Sequence, residues 1–121
     1  MSWVQVNTVD EMQAFYESCI PKIREVARAC GYAIGVHGSL RRDLDLIAVP
    51  WIEDHKDKDF LAHSIQVACC GMHMAKYEWE AKPCGRFAVS FSVCWTSCEG
   101  EFENMISRGH VDLSVMPRID K

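Results

Sequence analysis

The sequence predicts an α+β domain, with a small mixed or antiparallel sheet and two helices packed on one side. Apolar residues recur at helical spacing in two segments, and four further segments show the period-two pattern of strands. A chain of 121 residues that is 49% hydrophobic can bury one core, and we see no linker or internal repeat that would divide it. We therefore expect a single domain spanning residues 1–121.

The first helix is predicted from its capping residues and its apolar stripe. Thr8 can cap the first turn, and Glu11 can reach back to complete a capping box. Apolar residues at spacings of three and four then continue to Cys30, and Gly31 is a natural stop. Because proline lacks an amide hydrogen and clashes with the preceding turn, we expect Pro21 to kink or restart this helix.

Two strands follow the first helix closely. Residues 32–37 alternate large and small side chains and end at a Gly-Ser pair, and residues 44–49 form an apolar run that ends before Pro50. Only residues 40–42 lie between the Gly-Ser pair and the segment that carries the second strand. An antiparallel hairpin is the simplest connection.

The rest of the chain predicts one more helix and two more strands. A charged loop over residues 53–58 leads into a helix near Asp59, and residues 87–95 show the clearest alternation in the sequence. Residues 99–101 are typical of an exposed turn, and residues 110–116 alternate again as a last strand. The predicted inward face of the second helix consists of Leu61, Ile65, Ala68, Cys69 and Met72.

Composition limits the classes of function. The chain has 17 acidic and 13 basic residues and a formal net charge of −4, without a basic run that could follow a duplex backbone. Nonspecific nucleic-acid binding is therefore not expected. No apolar run reaches the roughly 20 residues of a membrane span, and residues 1–7 do not resemble a secretory signal. We expect a cytoplasmic protein.

The seven cysteines are expected to be reduced, since their number is odd and no export signal is visible. A zinc site is not favoured, because the candidate ligands do not form the two closely spaced pairs that structural zinc sites show. Those candidates are Cys69, Cys70, His73, Cys84, Cys94, Cys98 and His110.

The strongest functional pattern is a set of three aspartates. Asp43 and Asp45 lie two residues apart on a strand, so their side chains point to the same face. Like charges held this close require a cation between them or a shared proton, and carboxylate oxygens suit Mg²⁺ or Mn²⁺. Asp112 lies between two apolar residues of the last strand and joins the site if that strand lies beside Asp43. The apolar run around Asp45 predicts that this carboxylate is buried deeply enough to need a partner.

These residues resemble the nucleotidyltransferase superfamily, in its minimal, polymerase-beta-like form. Members share a Gly-Ser turn, an Asp-hydrophobic-Asp strand and a later acidic residue on a neighbouring strand. The resemblance implies that Gly38 and Ser39 hold the triphosphate of a bound nucleotide. It also implies that Asp43 and Asp45 bind the metals, and that Asp112 is a third ligand or the base for an attacking hydroxyl.

Two pairs of cations are further candidates for nucleotide binding. Arg41 and Arg42 precede the aspartates, and Lys82 and Arg86 flank a Pro-Gly turn. The alternative for each pair is a solvated turn, as the alternative for the Gly-Ser pair is a hairpin connection.

A wider pattern covers most of the chain. With residues 49–51 after the aspartates and residues 82–86 before the third strand, the sequence is similar to small bacteriophage proteins. That resemblance implies a phage or prophage origin, and hence the cytoplasm of a bacterial host, without implying a function.

Two functions of different classes follow. The first is a metal-dependent nucleotidyltransferase that moves a nucleoside monophosphate from a nucleoside triphosphate to a hydroxyl group, with a partner protein or a homo-oligomer supplying acceptor recognition. The second is a catalytically inactive, phage-encoded binding protein that sequesters a nucleotide or contacts a host protein. The short spacing from the Gly-Ser pair to Asp43 favours the second function, because nucleotidyltransferases normally place a longer segment with a helical turn there.

Overall fold

The computed structural model describes residues 9–69, 76–95 and 107–118. They form an α+β fold, as predicted. The helices are α1 (Val9–Cys30) and α2 (Lys58–Ala68), and a short 3-10 turn spans Pro83–Gly85. The strands are β1 (Tyr32–His37), β2 (Asp43–Pro50), β3 (Glu80–Ala81), β4 (Phe87–Trp95) and β5 (Ser107–Val115).

The five strands form one mixed sheet in the order β1-β2-β5-β4-β3. The predicted hairpin of β1 and β2 is confirmed, and β4 pairs antiparallel with both β3 and β5. β2 and β5 are parallel neighbours, although they lie far apart in the sequence. β3 was not predicted from the sequence, because two residues are too few to show an alternating pattern.

Both helices cover the same face of the sheet. The side chains that β2 and β5 direct to this face are almost completely buried: Leu44, Leu46, Ala48, Val111, Leu113 and Val115. Tyr16 and Ile23 of α1 and Leu61 and Ile65 of α2 are also fully buried in this core. The opposite face carries the intervening residues of each strand, and no described helix covers it. We call it the open face.

The helices follow the sequence prediction with one difference. Of the kink or restart expected at Pro21, the restart does not occur, because α1 is continuous through this residue. α1 ends at Cys30, and Gly31 follows it with a positive φ of 90°. Pro21 is exposed, so the carbonyl group that loses its helical partner there can bond to water instead. Thr8, the expected cap, lies outside the described residues.

The second helix begins at Lys58, one residue before the predicted position. Asp57 caps it, with a side-chain oxygen that accepts a hydrogen bond of 2.8 Å from the backbone amide of Phe60. Of the predicted inward residues, Leu61, Ile65 and Cys69 are buried, Ala68 is half-buried, and Met72 lies outside the described residues. None of the helices in the described part of the chain has the length and apolar character needed to span a bilayer.

Candidate metal site

The three predicted aspartates converge on the open face of the sheet. Because β2 and β5 are parallel neighbours, Asp45 lies directly beside Asp112 in the strand register, and Asp43 is two residues away along β2 on the same face. One oxygen from each carboxylate can be chosen so that all three lie within 4.8 Å of one another. All three residues are half-buried. The structure therefore brings together three ligand groups of the type that Mg²⁺ and Mn²⁺ prefer.

One row of side chains crosses four strands at this point. The register pairs His37 with Asp45, Asp45 with Asp112, and Asp112 with Ser90. The hydroxyl of Ser90 donates a hydrogen bond of 2.5 Å to Oδ1 of Asp112. A histidine and a serine thus border the carboxylates on the two sides of the row, and the serine fixes one carboxylate oxygen of Asp112.

The electrostatics of the row favour a proton or a cation between the two central carboxylates. Burial raises the pKa of Asp45, and a hydrogen bond to Asp112 raises it further, as do the charges of Asp112 and Asp43. The nearby His37 acts in the opposite direction. A positive charge beside Asp45 would therefore stabilise its ionised form.

Tyr16 holds the ends of the two aspartate strands together from the helical side. Its buried hydroxyl donates a hydrogen bond of 2.6 Å to the carbonyl of Arg42 and accepts one of 3.1 Å from the amide of His110. Arg42 directly precedes Asp43, and His110 is the register partner of Asp43. Gly109 leaves the room for this contact, because a β-carbon there would collide with the hydroxyl. Tyr16 is thus a positioning residue for the site.

From the sequence, Tyr16 was expected only as part of the apolar stripe of the first helix. The available signal was chemical, since a buried tyrosine hydroxyl requires a hydrogen-bond partner. Burial is the main cause that raises the pKa of Tyr16, and the charges of Asp43 and Asp112 raise it too, against the opposing effect of the bond from His110. Tyr16 therefore remains a protonated donor.

The turn over residues 38–42 contacts the site directly. Gly38 has a φ of 81°, and a β-carbon on it would lie 2.6 Å from Oδ2 of Asp45, so this glycine is required both by the turn and by the carboxylate. The hydroxyl of Ser39 accepts a hydrogen bond of 3.4 Å from the amide of Arg41. Arg41 and Arg42 are exposed, and neither forms an ion pair with another residue that the structure describes. Both guanidinium groups are available to a ligand.

A polar groove of about 430 Å³ extends from Asp112 towards β3, on the other side of the triad. Lys82 lies in it and forms an ion pair of 2.7 Å with Glu80, whose pKa it lowers. Arg86 donates a hydrogen bond of 2.9 Å to the hydroxyl of Ser114, which also lines the groove. The two predicted pairs of cations therefore lie at opposite ends of the aspartate cluster.

The cysteine and histidine candidates do not assemble a second cluster in the described part of the chain. There, the three aspartates are the one group of histidine, cysteine, aspartate or glutamate side chains placed to share a metal ion. Cys19, Cys30 and Cys69 are buried and Cys84 is exposed, and none of these four forms a disulfide bond. Cys70, His73 and Cys98 lie outside the described residues.

Comparison with known proteins adds no assignment. No family model matches the sequence, and neither a curated protein nor a solved structure matches the chain. The resemblance to nucleotidyltransferases is therefore carried by the residues of this chain alone, and the function has to be argued from the chemistry of the aspartate cluster.

Proposed function

We propose that the protein binds Mg²⁺ or Mn²⁺ at Asp43, Asp45 and Asp112 and uses the site to transfer a nucleoside monophosphate from a nucleoside triphosphate to a hydroxyl group. The observation that carries the proposal is the convergence of three carboxylates from two parallel strands within 4.8 Å on the open face. A bound divalent cation stabilises charge on the attacking and leaving oxygens of such a transfer.

The roles of the residues follow from their positions. Asp43 and Asp45 supply ligand oxygens from one strand, and Asp112 supplies a third ligand or accepts the proton of the attacking hydroxyl. Ser90 occupies one oxygen of Asp112 and so orients the carboxylate. The other oxygen of the Asp112 carboxylate is then left to face the cation or the substrate.

The surroundings provide two places for phosphate groups. The exposed guanidinium groups of Arg41 and Arg42 follow the turn that contacts Asp45, and they can bind phosphate oxygens in a bidentate manner. Lys82 offers a second position in the groove beside Asp112, at the cost of its ion pair with Glu80. We assign the triphosphate to the arginine side, and the groove to the acceptor.

Thermal melting with and without cation is the first test. A cation at about 100 times its Kd adds about 2.7 kcal/mol to the stability of a protein that binds it only when folded. We expect Mg²⁺ or Mn²⁺ to raise the Tm of the wild type, a nucleoside triphosphate to raise it further, and the Asp43→Asn, Asp45→Asn variant to show neither shift.

The matched control is Glu53→Gln, Asp54→Asn, which removes two exposed acidic groups from the loop before α2. This variant should retain the full shift. A cation shift of the same size in both variants would mean that the aspartate cluster does not bind the ion.

Release of pyrophosphate tests transfer without knowledge of the acceptor. The wild type should release it from a nucleoside triphosphate in a cation-dependent reaction when candidate hydroxyl acceptors are supplied, and the variant that lacks Asp43 and Asp45 should not. Activity that survives both substitutions would contradict the proposal.

One observation favours a second candidate, a binding protein without catalysis. The connection over residues 38–42 is an irregular turn, with no helical turn that could direct backbone amides at a triphosphate. On this alternative, the protein sequesters a nucleotide or contacts a partner protein through the same face. Nucleotide binding that is tight, independent of cation and without release of pyrophosphate would support it.

A further inference from the structure

The two edges of the sheet differ in how they are protected from other strands. β3, at one edge, has only two residues, and Glu80 within it pairs with Lys82. β1, at the other edge, has six residues, continuous pairing without a bulge, and no proline, lysine, arginine or acidic residue. Short length, charge, proline and bulges are the features that protect natural edges. Within the described residues, β1 has none of these four features.

The outward-facing backbone groups of β1 can be identified from its pairing with β2. The amide of Trp51 donates a hydrogen bond of 3.0 Å to the carbonyl of Gly31, so these two residues form a hydrogen-bonded pair. Bonded and non-bonded pairs alternate along an antiparallel ladder, and Pro50, which has no amide hydrogen, correctly falls in a non-bonded pair with Tyr32. The residues whose N–H and C=O groups point away from the sheet are therefore Tyr32, Ile34 and Val36.

A shallow groove of about 250 Å³ runs along this edge. Arg24 and Arg28 of α1 line it together with Tyr32, Ile34 and the side chain of Trp51, which is 57% exposed. The two arginines lie four residues apart and so project side by side from the helix. Both are exposed, and neither forms an ion pair within the described part of the chain.

The charge beside the edge determines which strand can add to it. A second copy of this chain would pair β1 with β1 about a two-fold axis near Ile34, and the arginine pairs of the two copies would then face each other. Like charges in that position oppose a symmetric dimer. Carboxylates, by contrast, match guanidinium groups in a bidentate geometry.

We propose that the outer edge of β1 is a docking site for an extended acidic peptide of a partner protein, which adds to the sheet as a strand beside Ile34 and Val36 and places carboxylates against Arg24 and Arg28. In this mode of recognition, backbone hydrogen bonds supply affinity and alternate side chains supply specificity. Since successive side chains of a strand point to opposite faces, acidic residues at every second position would meet the arginines. The inference does not depend on the metal site.

The test uses the full chain and a fluorescent synthetic peptide of alternating glutamate and valine. Two control peptides separate charge from pairing: one carries lysine in place of glutamate, and the other has every amide N-methylated, so that it keeps its charge but cannot pair. We expect the wild type to bind the first peptide alone. Binding should also slow the hydrogen exchange of the Ile34 and Val36 amides.

Charge reversal locates the site. Arg24→Glu, Arg28→Glu should weaken binding at least about tenfold, because like charges then face the peptide. The matched control, Lys22→Glu, Lys76→Glu, makes the same change in net charge at exposed positions away from the groove and should bind normally. Arg24→Gln, Arg28→Gln gives a milder version that should also lose affinity.

Several results would overturn the proposal. These are failure of the wild type to bind the acidic peptide, equal binding of the lysine or N-methylated peptide, and unchanged exchange of the Ile34 and Val36 amides. Protection of those amides in the free protein that increases with protein concentration would instead identify a second copy as the occupant, and would equally overturn it.

Discussion

The two faces of the sheet are built from alternating residues of the same strands but have opposite environments. On the covered face, Leu46 and Leu113 are 0% and 1% exposed. On the open face, their neighbours Asp45 and Asp112 are half-buried, and Ile47 is 36% exposed. Adjacent positions in one strand therefore serve different purposes: the covered face supplies the stability of the fold, and the open face presents charged groups that the fold does not need.

The largest expected difference between the faces is in stability. Leu46→Ala should lower the free energy of unfolding by about 2–5 kcal/mol, because it leaves a cavity in the core. Ile47→Ala, one residue further along the strand, should cost clearly less, about 1 kcal/mol, since its side chain is already 36% exposed and its removal leaves no closed cavity. Urea denaturation of the two variants measures both values. Similar losses would show that the open face is packed against something in solution.

A smaller effect on stability is expected from Tyr16→Phe. This variant tests whether a side chain on the covered face positions the aspartates of the open face. Removal of the hydroxyl leaves the carbonyl of Arg42 and the amide of His110 without this partner, at a cost of about 1–3 kcal/mol. These groups adjoin Asp43 and its register partner. We therefore expect weaker binding of Mn²⁺ as well, measured by calorimetry.

Tyr77→Phe is the control for that experiment. Tyr77 is also buried, and its hydroxyl donates a hydrogen bond of 2.8 Å to Gln66, away from the aspartates. The Tyr77→Phe variant should be less stable than the wild type and should keep its affinity for the cation. Unchanged cation binding in Tyr16→Phe would mean that Tyr16 stabilises the fold without positioning the carboxylates.

The division of residues between the two faces could be predicted from the sequence, because it depends only on the period of two along a strand. This is why Asp43 and Asp45 were correctly placed on one face. The prediction for Asp112 depended on whether its strand lies beside Asp43. The sequence does not reveal this, since the parallel pairing of β2 with β5 joins residues distant in sequence. Tyr16 was missed for the same reason: its partners Arg42 and His110 lie 26 and 94 residues away.

Burial on the open face was predicted too strongly. The apolar run from Leu44 to Val49 indicated a strand buried on both sides, yet Ile47 and Val49 are 36% and 44% exposed. Hydrophobicity alone does not reveal that both helices pack on one face. Asp45 is accordingly half-buried, and it shares a hydrogen bond with the carboxyl group of Asp112.

The smallest expected effect is the pH dependence that Asp45 gives to the open face. Because its pKa is raised in the folded state, the native protein binds more protons than the unfolded chain between the ordinary carboxyl pKa and the raised value. Stability must then fall as the pH rises through this window, and above it the cost stays constant. Asp45→Asn has no group that titrates there. In a chelator, its free energy of unfolding should exceed that of the wild type by a margin that grows with pH and then levels off.

A bound cation should reverse the order of stability of the wild type and Asp45→Asn. This reversal distinguishes a metal site from a pair of carboxylates that only repel each other. With Mn²⁺ at neutral pH, the wild type gains binding free energy that Asp45→Asn largely loses, so the wild type should become the more stable of the two. Asp54→Asn, in the exposed loop before α2, should follow the wild type at every pH with and without the cation. If Asp45→Asn stays more stable in Mn²⁺, the open face holds its carboxylates by proton sharing alone, and the covered face stabilises a cluster that does not bind the ion.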